Sequence, residues 1–223
     1  MKQKISLPKL KSYTADGRKS IQNIYKSFSK FNDLWNSEII GYQSADKGKN
    51  KKILLPIFCF KTKKTGKALW IISGIHGEEP AGVNAITQNI GFLNKLAKKI
   101  PIVIIPLANP CGYWRNWRYQ NQKYYSKKNY GLSVGDAEFF LPDLKNTKKS
   151  QAQKPSSETA FSLNDFIIEI SKKCPPLLVF DFHEDTSGRK FYLYSQGKLG
   201  IKDPIAEEII KEARSLHPDI SDA

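Results

Sequence analysis

The amino-acid sequence predicts an α/β protein of three layers, α/β/α, with helices on both faces of a mostly parallel mixed sheet. Three observations lead there. Short continuous apolar runs recur at 67–73 (KALWIIS), 101–107 (PIVIIPL) and 176–182 (PLLVFDF), the pattern of strands buried on both faces. Stretches with apolar residues at three- and four-residue steps stand between and after them, at 80–98, 157–173 and 204–216, which is the helical period. Strand alternating with helix is the order that builds a parallel sheet with helical crossovers.

Taken from the N-terminus, residues 1–18 are polar and basic and read as an irregular lead-in. Residues 19–36 place Ile21, Ile24, Tyr25, Phe28, Phe31 and Leu34 on one helical face. A basic turn with Gly48 follows at 45–52, then a strand at 53–62 that Pro56 pushes toward a sheet edge, because proline has no N–H for a second ladder. The strand at 67–73 leads into a helix at 80–98, with Pro80 in the first turn, where proline is tolerated best. After the strand at 101–107, a lysine- and serine-rich loop spans about 141–156. The helix at 157–173 has Ser156 or Ser157 as its cap. Strands at 176–182 and 190–195 and a helix at 204–216 complete the series. At 223 residues the chain is expected to form one domain, 1–223, with a single core.

Composition narrows the class of function. Apolar residues make up 40% of the chain, too many for a disordered polypeptide. No run approaches the roughly 20 apolar residues needed to cross a bilayer, and Met1–Ser6 has no apolar segment behind it that would mark a secretory signal. A soluble, cytoplasmic protein with no membrane partner is the expectation. Cys59, Cys111 and Cys174 are far apart and odd in number, which implies no disulfide framework. The formal charge of +15 comes from lysines scattered along the chain and reads as a solvated surface. Residues 113–130 interleave aromatic and basic groups, but no nucleic-acid fold signature accompanies them, so a loop or pocket wall is preferred to a nucleic-acid platform.

In open α/β sheets ligands bind beyond the carboxyl ends of the strands, so the residues that follow each apolar run are the candidates for chemistry. After 67–73 comes Gly74-Ile75-His76-Gly77-Glu78-Glu79-Pro80-Ala81-Gly82, and after 176–182 comes His183-Glu184-Asp185. Two of the chain's three histidines therefore stand at strand ends. Gly74 and Gly77 permit a sharp turn and Gly82 a close helix approach. Either histidine alone reads as an ordinary turn or half-buried residue. His76 and Glu79 at i, i+3, joined by His183 from a neighbouring strand, instead form a two-histidine, one-carboxylate set, the donor arrangement of a catalytic Zn2+ with one position open. Asp181, two residues before His183, is placed to orient that histidine. Arginines are few, and Arg115, Arg118 and Arg189 all fall just after these strands, where a planar guanidinium suits carboxylate or oxyanion recognition.

The strings GIHGEEPAG, NPCG and DFHED, over about residues 53–195, resemble the zinc carboxypeptidase family, including its succinylglutamate desuccinylase and aspartoacylase branch. The resemblance implies a carboxypeptidase-like fold, with His76, Glu79 and His183 as zinc ligands and Arg118 as the catalytic arginine that polarises the scissile carbonyl. Arg115 and Asn109, on the segment after the 101–107 strand, are assigned to substrate binding. Two departures accompany the match. Residues 132–139 (LSVGDAEF) lack the family's Asn-Arg carboxylate reader, and no residue after His183 matches its catalytic glutamate. With 40 residues after His183, the C-terminal part of the domain is expected to be incomplete. The expected function is zinc-dependent hydrolysis of an amide bond at a peptide C-terminus. The alternatives are deacylation of an N-acyl amino acid, or zinc binding without turnover. The substrate is accordingly a peptide or an N-acyl amino acid.

Overall fold

The computed structural model describes residues 14–46, 52–120, 158–184 and 191–216. The chain divides into two compact units, Met1–Glu184 and Asp185–Ala223. In the first unit the order is α1 (Ile21–Phe28), β1 (Trp35–Asp46), β2 (Lys52–Thr62), β3 (Ala68–Ser73), α2 (Pro80–Gln88), α3 (Ile90–Leu96), β4 (Ile102–Ile105), α4 (Pro110–Arg115), α5 (Glu158–Lys173) and β5 (Pro176–Phe182). The second unit contains a short 3-10 turn, Gly200–Lys202, and α6 (Pro204–Leu216).

The five strands form one mixed sheet in the order β1-β2-β4-β3-β5. β3 runs parallel to both β4 and β5, and β2 runs antiparallel to both β1 and β4. Alternating side chains of the central strands enter opposite faces, as the strand period of two requires. Ile102 and Ile104 of β4 and Ile71 of β3 join one core with α1, α2 and α3. Val103, Ile105, Ala68 and Trp70 join the other core with Leu163 and Ile170 of α5. Helices thus cover both faces, and three layers result. The indole of Trp70 is buried and donates to the Cys174 carbonyl at 2.9 Å, so its one polar atom has a partner.

Several elements differ from the sequence expectation for identifiable reasons. The first helix ends at Phe28 and not near residue 36. Asn32 starts a turn by accepting the Leu34 and Trp35 amides on its side chain and carbonyl, a local bond that competes with helix. Phe31 then stacks on Phe60 at 4.2 Å, outside the helix that its spacing suggested. β1 was not anticipated, because an irregularity between Ile39 and Gly41 breaks its period of two and the polar Gln43 stands at a buried position. β2 is not an edge strand. Pro56 lies where β2 pairs with β1 (Tyr42↔Pro56), and the β4 pairing is confined to Phe60 and Lys61, so the missing N–H costs no ladder bond there. The helix at 80–98 is two helices, parted at Asn89, whose side-chain amide donates to the Ala85 carbonyl. Residues 191–195 form no strand, since an apolar stretch becomes one only when its backbone groups find a ladder. Their aromatics Phe191, Tyr192 and Tyr194 are exposed. The cap at Ser156 or Ser157, the turn at 47–51 and the loop at 141–156 lie outside the described residues.

All three cysteines are buried and unpaired. No helix among the described residues is long and apolar enough to cross a membrane. The packing makes one contrast measurable. Ile104 is fully buried, and Ile104→Ala should lower the unfolding free energy by about 2–5 kcal/mol in urea denaturation. Leu54 is 60% exposed, and Leu54→Ala should stay within about 0.5 kcal/mol.

Candidate metal centre

β3 and β5 are adjacent and parallel, and their last residues, Ser73 and Phe182, are paired. Both chains therefore leave the sheet at the same end and at the same level. The β3 exit carries His76 and Glu79, and the β5 exit carries His183. Among the described residues these three side chains form one group, with candidate ligand atoms within 4.8 Å of one another. His76 Nδ1 lies 2.7 Å from Glu79 Oε1, His183 Nδ1 lies 2.9 Å from Glu79 Oε2, and the two Nδ1 atoms are 3.2 Å apart. His76 is 5% exposed and Glu79 6%, whereas His183 is exposed, so the group opens to solvent on the His183 side.

The segment that leaves β3 and carries His76 and Glu79 is shaped by two glycines with different tasks. Gly74 has φ +66°, a left-handed conformation that suits glycine. Gly77 has no positive φ. A Cβ there would overlap the backbone of Gly112 and Tyr113, so glycine at 77 serves the close approach of α4, not the turn itself. The Gly77 amide donates to the Arg118 carbonyl at 3.1 Å. Glu79 occupies the N-cap of α2 without capping it, because its carboxylate is committed to the two imidazoles. Glu184 takes over that duty, accepting the Ala81 amide at 3.0 Å, while its own amide donates to Glu79 Oε2 at 3.0 Å. Strand alternation would have turned Glu184 away from the cluster. The strand ends at Phe182, so the rule no longer holds at 183 and 184.

The electrostatics favour positive charge between these groups. Burial alone would raise the Glu79 carboxyl, but hydrogen bonds from His183 and His76 outweigh it and bring the pKa down to about 2. Hydrogen bonds to Asp181 first and Glu79 second push His183 up to about 10. Asp181 Oδ2 lies 3.1 Å from His183 Nε2. With Nε2–H donated to Asp181, Nδ1 faces the cluster as the donor to Glu79, and it could serve as a metal ligand once that proton leaves. Two imidazole nitrogens and a carboxylate are a donor set suited to zinc.

The other anticipated residues are placed as follows. Arg118 is in the cluster, with Nη1 donating to Glu79 Oε1 at 3.1 Å and to Glu78 Oε1 at 3.0 Å. Asn109 is 2% exposed. Its Oδ1 accepts the Gly112 amide at 2.9 Å, capping α4, and its Nδ2 donates to the Arg118 carbonyl at 3.0 Å. Both ends of its side chain thus meet backbone, and Asn109 braces the Arg118 carbonyl. Arg115 lies over the rings of Trp114 and Trp117, 5.3 and 4.6 Å from their centroids. Of the aromatic-basic stretch, Tyr113 and Tyr119 are buried, Trp114 packs on the core, and Tyr119 meets the His76 ring edge-on at 5.9 Å. Residues 121–130, the 132–139 stretch and Arg189 lie outside the described residues. Arg18 and Glu78 contact the cluster or its turn and were not anticipated, and Glu184, which strand alternation would turn away, contacts it too. Their signal is tertiary, since each acts on backbone or charge brought near by folding.

The fold is metallocarboxypeptidase-like. Bovine thrombin-activatable fibrinolysis inhibitor, solved with tick carboxypeptidase inhibitor, superposes with a TM-score of 0.59 at 18% identity, covering 94% of this chain and 77% of that one. A metallo-carboxypeptidase from Burkholderia cenocepacia superposes with a TM-score of 0.56 at 14% identity, covering 92% and 53%. Carboxypeptidase 2 of Trichophyton rubrum is 28% identical over 130 residues, which are 55% of this chain and 19% of the relative. The chain thus spans about a fifth of the length of the curated relatives it matches. Residues 65–203 match the succinylglutamate desuccinylase/aspartoacylase catalytic domain, and the chain belongs to that family.

The close approach at Gly77 gives a direct test of the turn. Gly77→Ala should lower the melting temperature markedly and abolish tight metal uptake. Gly91→Ala, where an added Cβ meets nothing within 4 Å and the site is helical, should be neutral or stabilise by up to about 1 kcal/mol. Thermal unfolding of the two variants side by side reads the difference.

Proposed function

We propose that the chain is a zinc-dependent hydrolase of an amide bond, with His76, Glu79 and His183 as the metal ligands. The convergence of their ligand atoms within 4.8 Å at the end of two parallel strands carries this reading. Zinc in a two-histidine, one-carboxylate set supplies Lewis-acid polarisation of a carbonyl and activation of water. The chain's own residues do the rest. Asp181 holds the His183 ring with Nδ1 turned inward. Arg118 presents a guanidinium beside the metal position, where it would donate to the oxygen that gains charge as the carbonyl is attacked. Glu78 keeps that guanidinium from swinging away, through an ion pair on a side chain that is otherwise partly exposed.

Two substrate classes follow from the relatives. The family match favours an N-acyl amino acid, and the fungal carboxypeptidase 2 relatives favour a peptide C-terminus. Both place a carboxylate close to the scissile amide. A panel of N-acyl amino acids set against C-terminally varied peptides separates them. A third reading, zinc binding without turnover, would show metal and no product from either arm of the panel.

The purified protein should hold one zinc per chain by elemental analysis, and His76→Ala should lose it. Arg118→Ala should keep the metal and lower kcat by about 100- to 1,000-fold. A preparation in which both variants retain zinc would exclude His76 as a ligand. Asp181→Ala should weaken zinc affinity about 10- to 100-fold in a chelator competition, with little change in melting temperature of the metal-free protein.

A further inference from the structure

Arg18 is 3% exposed, and arginine is seldom so deeply buried without a full set of partners. Its Nε and Nη2 donate to the Asp16 carboxylate, at 2.8 and 2.5 Å. Nη1 donates to the Gly77 carbonyl at 2.9 Å and to the Tyr113 carbonyl at 2.5 Å, and Nη2 also donates to Asn116 Oδ1 at 2.6 Å. The Glu78 carbonyl is a longer contact at 3.4 Å. The guanidinium also lies 4.9 Å from the centroid of the Tyr113 ring. Every N–H of the fork has an acceptor, and three of those acceptors belong to two segments that approach each other at Gly77. One segment is the turn between the ligands His76 and Glu79. The other is the C-terminal end of α4, where the Tyr113 carbonyl has only a long bond from the Asn116 amide, at 3.5 Å, and a cation is favoured.

The Gly77 peptide unit is consequently held from both sides. Its N–H goes to the Arg118 carbonyl, and its C=O accepts from Arg18. His76 is one residue before it and Glu79 two residues after it. We propose that Arg18, oriented by Asp16, is the positioning residue that clamps the 76–79 turn to α4 and so sets the spacing of two metal ligands. Lysine cannot replace it, because a single ammonium lacks the planar fork that reaches Asp16, Gly77, Tyr113 and Asn116 together. The inference rests on the zinc reading for its functional consequence, but the clamp itself is a property of the metal-free turn.

The experiment has two arms on the full chain, with Arg18→Lys, Arg18→Gln and Asp16→Asn. In the first, competition with a zinc chelator should show affinity reduced about 10- to 100-fold in Arg18→Lys, and by a smaller factor in Asp16→Asn. In the second, hydrogen exchange of the metal-free protein should quicken at residues 74–82 and stay unchanged in β1, β2 and α5. If Arg18→Gln does not fold, the lysine and Asp16 variants carry both arms. Zinc affinity unchanged in the folded variants overturns the proposal. So does faster exchange spread evenly over the sheet, which would mean that Arg18 only stabilises the fold. If the unaltered protein binds no zinc, the zinc reading fails, and the exchange arm alone decides the clamp.

Discussion

The grouping of His76, Glu79 and His183 depends on the parallel pairing of β3 with β5. Histidines 107 positions apart come together only because Ser73 and Phe182 end their strands side by side. A one-residue slip would turn every side chain of β5 to the other face. His183 would then be carried away from His76 and Glu79, and the loop beyond Phe182 would start at a different level. The apolar packing of β3 and β4 against helices on both faces fixes the sheet in place, and the cluster inherits that precision. Ligands set just past strand ends gain the rigidity of the sheet without having to lie within it.

The second constraint is the crowding between the 76–79 turn and α4. Gly77 and the backbone of Gly112 and Tyr113 leave no room for a side chain. The same contact lets Asn109 hold the Arg118 carbonyl and lets Arg118 reach back to Glu78 and Glu79. One small residue thus decides whether the arginine and the ligands share a site. The division of labour between Glu79 and Glu184 follows the same economy. Capping α2 and binding a cation are competing uses of one carboxylate at an N-cap, and the second glutamate frees the first.

How much of this could be read from the sequence depended on whether the signal was local. The runs at 67–73, 101–107 and 176–182 became β3, β4 and β5, and the periodic stretch at 204–216 became α6 at the same bounds. Among the described residues, however, β5 is an edge strand with Leu177 and Val179 exposed, not buried on both faces as its apolar run suggested. The grouping of His76, Glu79 and His183 was legible because each follows a strand whose end a sequence can mark. β1 was not, because the irregularity between Ile39 and Gly41 breaks its alternation and Gln43 puts a polar side chain at a buried position. The helix at 19–36 was overextended because Asn32 closes a turn shortly after Phe28. Asn109 shows the limit most clearly. Its position after a strand suggested a substrate contact, but not the two backbone partners through which it braces the Arg118 carbonyl. Arg18 lay in a stretch that read as an irregular lead-in, and nothing in its neighbours announces that Gly77 and Tyr113 will come to it.

Membership of the succinylglutamate desuccinylase/aspartoacylase family and a metallocarboxypeptidase-like fold agree with a metal cluster at this edge of the sheet. The central claim is that His76, Glu79 and His183 bind zinc through two imidazole nitrogens and a carboxylate. X-ray absorption at the zinc edge of the purified protein tests it most directly. The account predicts a first shell of nitrogen and oxygen at about 2.0–2.2 Å, with the outer scattering of two imidazole rings. A shell containing sulfur at about 2.3 Å, or zinc with no imidazole scattering, would contradict it.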